Sequence, residues 1–225
     1  MARFRRLVVE GLPHHVTQRG VRRQQTFFSD RDYTAYREIA RSQLDPTQLS
    51  VLAYCLMPNH VHFVVIPHTR SALSTFFCEV HKRYARRTNA LNDWKGHLWQ
   101  QRFFSVVMDE GHCTAAMRYV ELNPVRAQLV GRAVDWPWSS ARANLGARVD
   151  GLVDTDRTHL LVSNWREYLA DGPTDTELAS IRRQTRTGRP EGDSAFIDFL
   201  EERSGRRIRR GKPGPSAKQG TNHGS

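Results

Sequence analysis

Residues 57–67, Met-Pro-Asn-His-Val-His-Phe-Val-Val-Ile-Pro, restrict the fold more than any other stretch of the chain. β-Branched residues dominate and Pro58 and Pro67 bound the run, so it reads as a strand. Side chains alternate along a strand, which turns His60, His62, Val64 and Ile66 to one face and Val61, Phe63 and Val65 to the other. Two imidazoles then stand side by side on one surface of a sheet whose opposite surface is apolar. Such a pair is a bidentate platform for a metal. It is equally explained as two half-exposed histidines, because a metal site needs a third and fourth ligand from elsewhere.

The neighbouring stretches supply the rest of a sheet. Residues 12–19 predict a strand closed by Gly20, and residues 49–56 predict another, joined to the histidine strand by a Met-Pro-Asn turn as a hairpin. Between them Tyr33, Tyr36, Ile39, Ala40 and Leu44 recur at helical spacing, with Ser29 or Asp30 available as a cap. Ser71 opens a longer helix to about residue 89, with Leu73, Phe76, Phe77, Val80 and Tyr84 inward and Lys82, Arg83, Arg86 and Arg87 outward. Residues 99–108 read as a fourth strand. Residues 112–123 read as a short helix that Pro124 ends. The order βαββαβα predicts an α+β fold, a ferredoxin-like or RRM-like antiparallel four-stranded sheet with helices on one face and the histidine strand central.

Beyond Gly131 the pattern is less regular. Trp136-Pro-Trp-Ser-Ser140 reads as a fixed turn against the core, and short helices are expected over residues 155–169, 174–184 and 194–203. From Gly205 the chain is basic and almost without apolar residues, a composition that predicts disorder when free. Three parts are therefore expected: a catalytic domain over residues 1–145, a helical C-terminal extension over 146–204, and a basic tail over 205–225.

Charge narrows the partner. The 34 Lys and Arg against 23 Asp and Glu leave +11, which favours nucleic acid; no basic helix with a bulky apolar face suggests a membrane. Cys55, Cys78 and Cys113 lack any CxxC spacing, so neither a disulfide framework nor a cysteine zinc site is indicated. No apolar run approaches membrane-spanning length, and a cytoplasmic setting is expected.

The helix over residues 112–123 carries the other half of a site. Cys113, Ala116, Met117 and Val120 form its apolar face, and His112, Tyr119 and Asn123 share a flank. If that flank overlooks the histidine strand, Asn123 adds a neutral oxygen to two neutral imidazoles. A mixed nitrogen and oxygen set with open positions suits Mg²⁺ or Mn²⁺. Tyr119 would then be the nucleophile, its attack on phosphorus assisted by the cation. Each residue also has an ordinary explanation: a half-buried structural tyrosine, and an asparagine at a helix end before proline. Arg19, Arg22, Arg23, Arg83, Arg87 and Arg102 are candidate DNA contacts, and Trp99 a candidate stacking surface or plain core.

Taken together, five runs resemble the REP-associated tyrosine transposases, a group within the HUH superfamily. They are residues 15–20 (His-Val-Thr-Gln-Arg-Gly), 57–62 (Met-Pro-Asn-His-Val-His), 98–103 (Leu-Trp-Gln-Gln-Arg-Phe), 119–127 (Tyr-Val-Glu-Leu-Asn-Pro-Val-Arg-Ala) and 136–140 (Trp-Pro-Trp-Ser-Ser). The resemblance implies that His60 and His62 ligate a divalent metal and that Asn123 stands in the third-ligand position, where related transposases often carry Gln. It implies that Tyr119 attacks DNA, leaving a 5′-phosphotyrosine and a free 3′-OH. The implied substrate is a single-stranded DNA hairpin, a REP-like palindrome with a short flanking tetranucleotide. A monomer is favoured, with a helix-swapped dimer as the alternative. The segment Thr187-Gly-Arg-Pro190 and the basic end resemble the C-terminal extension of that group, whereas Pro213-Gly-Pro215 departs from its pattern.

Two other classes compete with a metal-dependent tyrosine transposase. One is a non-catalytic nucleic-acid-binding module of the same fold. The other is a zinc hydrolase in which His112 joins His60 and His62 and Tyr119 is a bystander.

Overall fold

The structure is a computed structural model that describes residues 4–209. Four strands, β1 (His14–Arg19), β2 (Leu49–Met57), β3 (His60–Pro67) and β4 (Phe104–Val107), form one sheet in the order β2-β3-β1-β4, antiparallel throughout. This is the expected α+β fold with the histidine strand central. The helices are α1 (Asp30–Arg41), α2 (Leu44–Thr47), α3 (Ala72–Asn92), α4 (Glu110–Glu121), α5 (Asn123–Arg126), α6 (Ala141–Asn144), α7 (Thr155–Leu161), α8 (Trp165–Ala170), α9 (Asp175–Thr187) and α10 (Ser194–Ser204).

The two faces of β3 build two different cores. Val61, Phe63 and Val65 pack with Val16 against Tyr33, Tyr36 and Ala40 of α1 and Leu73, Phe76, Phe77, Val80 and Tyr84 of α3. Val64 and Ile66, with Leu52, Ala53 and Met57, pack against Cys113, Ala116, Met117 and Val120 of α4. The helices, expected on one face, are thus divided between both. The reason lies in β2 and β3, whose residues are buried on both sides of the sheet apart from Ser50 and His60; a strand apolar on both faces must be covered twice.

Several boundaries differ from the sequence expectation. The fourth strand is short because residues 101–103 interrupt the ladder, leaving Trp99 as an isolated bridge to Gly20: Gln101 has φ +56, and the Gln18 side-chain amide donates to the carbonyls of Gln100 and Gln101 at 3.2 and 3.1 Å. Helix α4 stops at Glu121 and a new turn begins at Asn123, so Pro124 lies in a first turn, where a missing N–H costs nothing. The helix expected over residues 155–169 is two, because Asn164 caps α8 by accepting from the Glu167 N–H.

Segment 138–140 lines the free edge of β2. The Leu56 N–H donates to the Trp138 carbonyl and the Ser140 N–H to the Tyr54 carbonyl, at 2.9 and 3.0 Å, which protects an edge that would otherwise be open to pairing. The C-terminal helices are not detached: α9 packs on α4 and β4, and Arg118 of α4 bonds both oxygens of Glu177 at 2.8 and 2.7 Å. The expected tail is ordered at its start. Ile208 is buried with Leu7, Val9, Val107 and Leu200, and residues 210–225 lie outside the described residues.

Candidate active site

A cavity of about 520 Å³ opens at the histidine end of β3, lined in part by Arg19, His60, His62, Gln101, Arg102, Tyr119, Asn123 and Thr185. Strand β3 supplies the imidazoles, β1 the floor beside them, α4 the phenol and the first turn of α5 the carboxamide. The flank of α4 therefore does overlook the histidines. The rings of His60 and His62 lie 4.9 Å apart between centroids, and Tyr119 lies 6.0 Å from His62.

The hydrogen bonds of His60 fix its proton. The Asn59 amide donates from Nδ2 to the Arg23 carbonyl at 3.0 Å, which turns its Oδ1 toward His60 Nδ1 at 2.6 Å. An amide oxygen only accepts, so His60 carries its proton on Nδ1 and keeps the Nε2 lone pair. The loop after β1 holds that turn in place: the Gly20 N–H donates to the Asn59 carbonyl and the Thr26 N–H to that of Pro58. Position 20 has no room for a side chain, since a Cβ there would meet the Gln24 carbonyl oxygen at 2.4 Å.

Burial keeps these imidazoles neutral. The pKa of His60 is pushed down to about 4 by desolvation and then by Arg19. That of His62 is pushed well below the ordinary value by desolvation, then by His60, His15 and the arginines 126 and 19. Neutral rings are the form that ligates a cation.

Asn123 is more constrained. Its Oδ1 accepts from Arg126 Nη2 at 3.1 Å, and its buried Nδ2 has no partner. One oxygen lone pair remains for a cation. The set of two Nε2 lone pairs and one amide oxygen fits a hard divalent ion that keeps other ligands from solvent or phosphate, and it lacks the thiolates of a closed zinc site. Among the described residues no group of three His, Cys, Asp or Glu side chains is arranged to hold a metal. His112 does not line the cavity; its Nδ1 is 2.7 Å from Asp109 Oδ1 at the start of α4, which removes the basis for a three-histidine zinc site.

The candidate DNA contacts divide. Arg19 and Arg102 are exposed at the cavity, and Arg22 and Arg23 are exposed in the adjoining turn. Arg83 lies on α3, 3.5 Å from Glu79, and Arg87 is paired with Asp32 at 2.7 Å; neither lines the cavity. Trp99 is core. It is 8% exposed, its indole N–H donates to the His81 carbonyl at 3.2 Å, and its ring lies 4.7 Å from that of His81. Only its edge reaches the surface, in a cavity it lines with Val21, Gln100 and Arg102.

Two side chains at the site escape the periodicity of the sequence. His15 of β1 is 1% exposed and lies with its Nε2 3.0 Å from His62 Nδ1. Arg126 lies over the Tyr119 ring, 3.8 Å from its centroid, and donates to the Tyr119 carbonyl at 2.7 Å. Both stand in runs quoted above, but only cross-strand register and the turn at Leu122 bring them against residues that line the cavity, His62 and Tyr119.

Comparison with known proteins gives the same region. A family model described as "Transposase IS200 like" matches residues 8–123, from before β1 to Asn123. A protein of Haemophilus influenzae, named as a REP-associated tyrosine transposase, is 20% identical over 125 residues, which cover 51% of this chain and 71% of that one. The solved structure of a REP-associated tyrosine transposase bound to a REP hairpin superposes with a TM-score of 0.57 at 20% identity, covering 69% of this chain and 90% of the other. That likeness is one of fold.

Proposed function

Because the chain belongs to the IS200-like transposase family, we propose that it cuts and rejoins single-stranded DNA at hairpin repeats, with Tyr119 as the nucleophile. The observation that carries this reading is the meeting of a half-buried phenol with two neutral imidazoles across one cavity of a single chain. The REP hairpin held by the structural relative supports the hairpin as the substrate class.

Attack of Tyr119 Oη on the scissile phosphorus forms one P–O bond as the bond to the 3′ oxygen breaks. The products are a 5′-phosphotyrosine and a free 3′-hydroxyl, and the reverse step with another 3′-hydroxyl rejoins strands. Arg126 fixes the phenol ring by stacking on it and bonds the backbone beneath it, so the nucleophile is presented in one orientation. Arg19 and Arg102 at the cavity, with Arg22 and Arg23 beside it, hold the phosphate backbone through contacts that do not read sequence and weaken with salt. His60 and His62 through Nε2, with Asn123 through Oδ1, would hold Mg²⁺ or Mn²⁺. Bound there, the cation would draw charge from the scissile phosphate and align it for in-line attack.

Incubation with single-stranded hairpin DNA from the repeats flanking the gene, with and without Mn²⁺, tests the reading on denaturing gels. A Mn²⁺-dependent protein-linked product is expected, absent in Tyr119→Phe while hairpin binding persists. An adduct that survives in Tyr119→Phe overturns the nucleophile. Tight hairpin binding with no adduct under any divalent ion leaves the non-catalytic binding module.

A further inference from the structure

The contact between His15 and His62 pairs two rings that each have one proton to place. The rings are stacked, with centroids 5.3 Å apart and planes 12° from parallel, and Nε2 of His15 is 3.0 Å from Nδ1 of His62. Both residues are buried, at 1% and 7% exposure. Two ring nitrogens at 3.0 Å cannot both donate or both accept, so one nitrogen of the contact donates and the other accepts.

The two possible directions differ in consequence. If His15 donated, His62 would carry its proton on Nε2, and its remaining lone pair would be consumed inside the contact. If His62 donates from Nδ1, its Nε2 lone pair is left on a ring that lines the cavity. His60 is already fixed in that second form by Asn59, through a bond within its own turn. His62 is flanked by Val61 and Phe63 and has no such neighbour; its partner comes from the next strand.

We propose that His15 is the positioning residue for His62: it accepts the Nδ1 proton of His62 on its own Nε2 and so holds the Nε2 lone pair of His62 ready for a divalent cation. His15 itself touches neither cation nor DNA. Its position follows from the register, in which Thr17 lies directly opposite His62 and His15 two residues further along the same face of β1. Partners of this kind fix the tautomer and ring orientation of a ligating histidine, and their removal lowers metal affinity by about 10–100-fold.

The inference rests on the cation reading of the Proposed function, and two measurements separate them. The first is the tautomer of His62 in the metal-free wild-type protein, read from imidazole ¹⁵N shifts. The proton is expected on Nδ1; a proton on Nε2 overturns the proposal whatever the metal does. The second is Mn²⁺ affinity by calorimetry on wild type, His15→Leu and His15→Gln, with hairpin binding in chelator as the control. His15→Leu is expected to bind Mn²⁺ about 10–100-fold more weakly, and His15→Gln, whose amide oxygen falls near the lost Nε2, to recover most of the affinity, with hairpin binding unchanged in both. Equal Mn²⁺ affinity in wild type and His15→Leu overturns the role of His15. Wild type that binds no Mn²⁺ overturns the cation reading instead, and the tautomer still decides how His15 is used. Should His15→Leu fail to fold, His15→Gln and the tautomer carry the test.

Discussion

Arg126 touches both sides of the turn that presents the nucleophile. One nitrogen donates to the Tyr119 carbonyl, another to Asn123 Oδ1, and the guanidinium plane covers the phenol. A planar fork with several donors can do all three at once, and a lysine ammonium cannot. Arg126→Ala should therefore slow adduct formation by about 10²-fold, the size of effect expected from a slight misplacement of a reacting group, and Arg126→Lys should not rescue it. Single-turnover gels check this, with hairpin affinity as the control. A rate within twofold of wild type would mean that the stack is packing only. The residue lies in a quoted run of the sequence, yet its role was not legible there, because on a continuous helix a residue seven positions on shares the tyrosine's face but lies about 10.5 Å further along the axis. The break at Leu122 does.

At the scale of elements, α4 is positioned from its buried side by Glu121. That carboxylate is wholly buried and accepts three hydrogen bonds, from Ser140 Oγ at 2.5 Å, Asn144 Nδ2 at 2.6 Å and Trp165 Nε1 at 2.7 Å. Burial raises its pKa to about 7 while the three donors oppose the rise. The network joins the nucleophile helix to the edge segment over β2, to α6 and to α8. Glu121→Gln sets an amide N–H₂ against at least one of these donors and should cost about 1–3 kcal/mol, measured as a lower urea midpoint with an unchanged slope. No loss of stability would mean that the network relaxes around the amide. The sequence shows α4 and its apolar face well, because four residues at helical spacing face one sheet. It does not show what Glu121 binds, since Ser140, Asn144 and Trp165 come from unrelated stretches. The same limit explains Trp99: composition cannot distinguish a tryptophan inside a core from one offered to a base, and only the packing of His81 and Tyr36 against it decides.

For the whole molecule, two buried neutral histidines beyond the candidate site, His14 of β1 and His81 of α3, lower its stability in acid. His81 is a buried residue of α3, with Nε2 3.0 Å from the Tyr36 hydroxyl, and burial pushes its pKa down to about 3. His14 at the start of β1 is held by the Leu12 carbonyl and the Val9 N–H, and burial pushes it down to about 4. In the unfolded chain both titrate near 6.5. Between that value and the folded pKa the unfolded state binds more protons than the native one, so stability is complete above about pH 6.5 and falls as pH drops toward 4. At pH 5 each histidine should have withdrawn about 2 kcal/mol relative to pH 7. Both lie away from the cavity, so the loss is expected in chelator and without DNA. His81→Gln, which leaves an amide facing Tyr36, should be less stable at pH 7 yet lose about 2 kcal/mol less on going to pH 5. Urea denaturation of the two proteins at both pH values measures this difference. Parallel losses would show that His81 is already protonated or solvated in the native core, and the acid sensitivity would then belong to the other buried histidines, His14 among them.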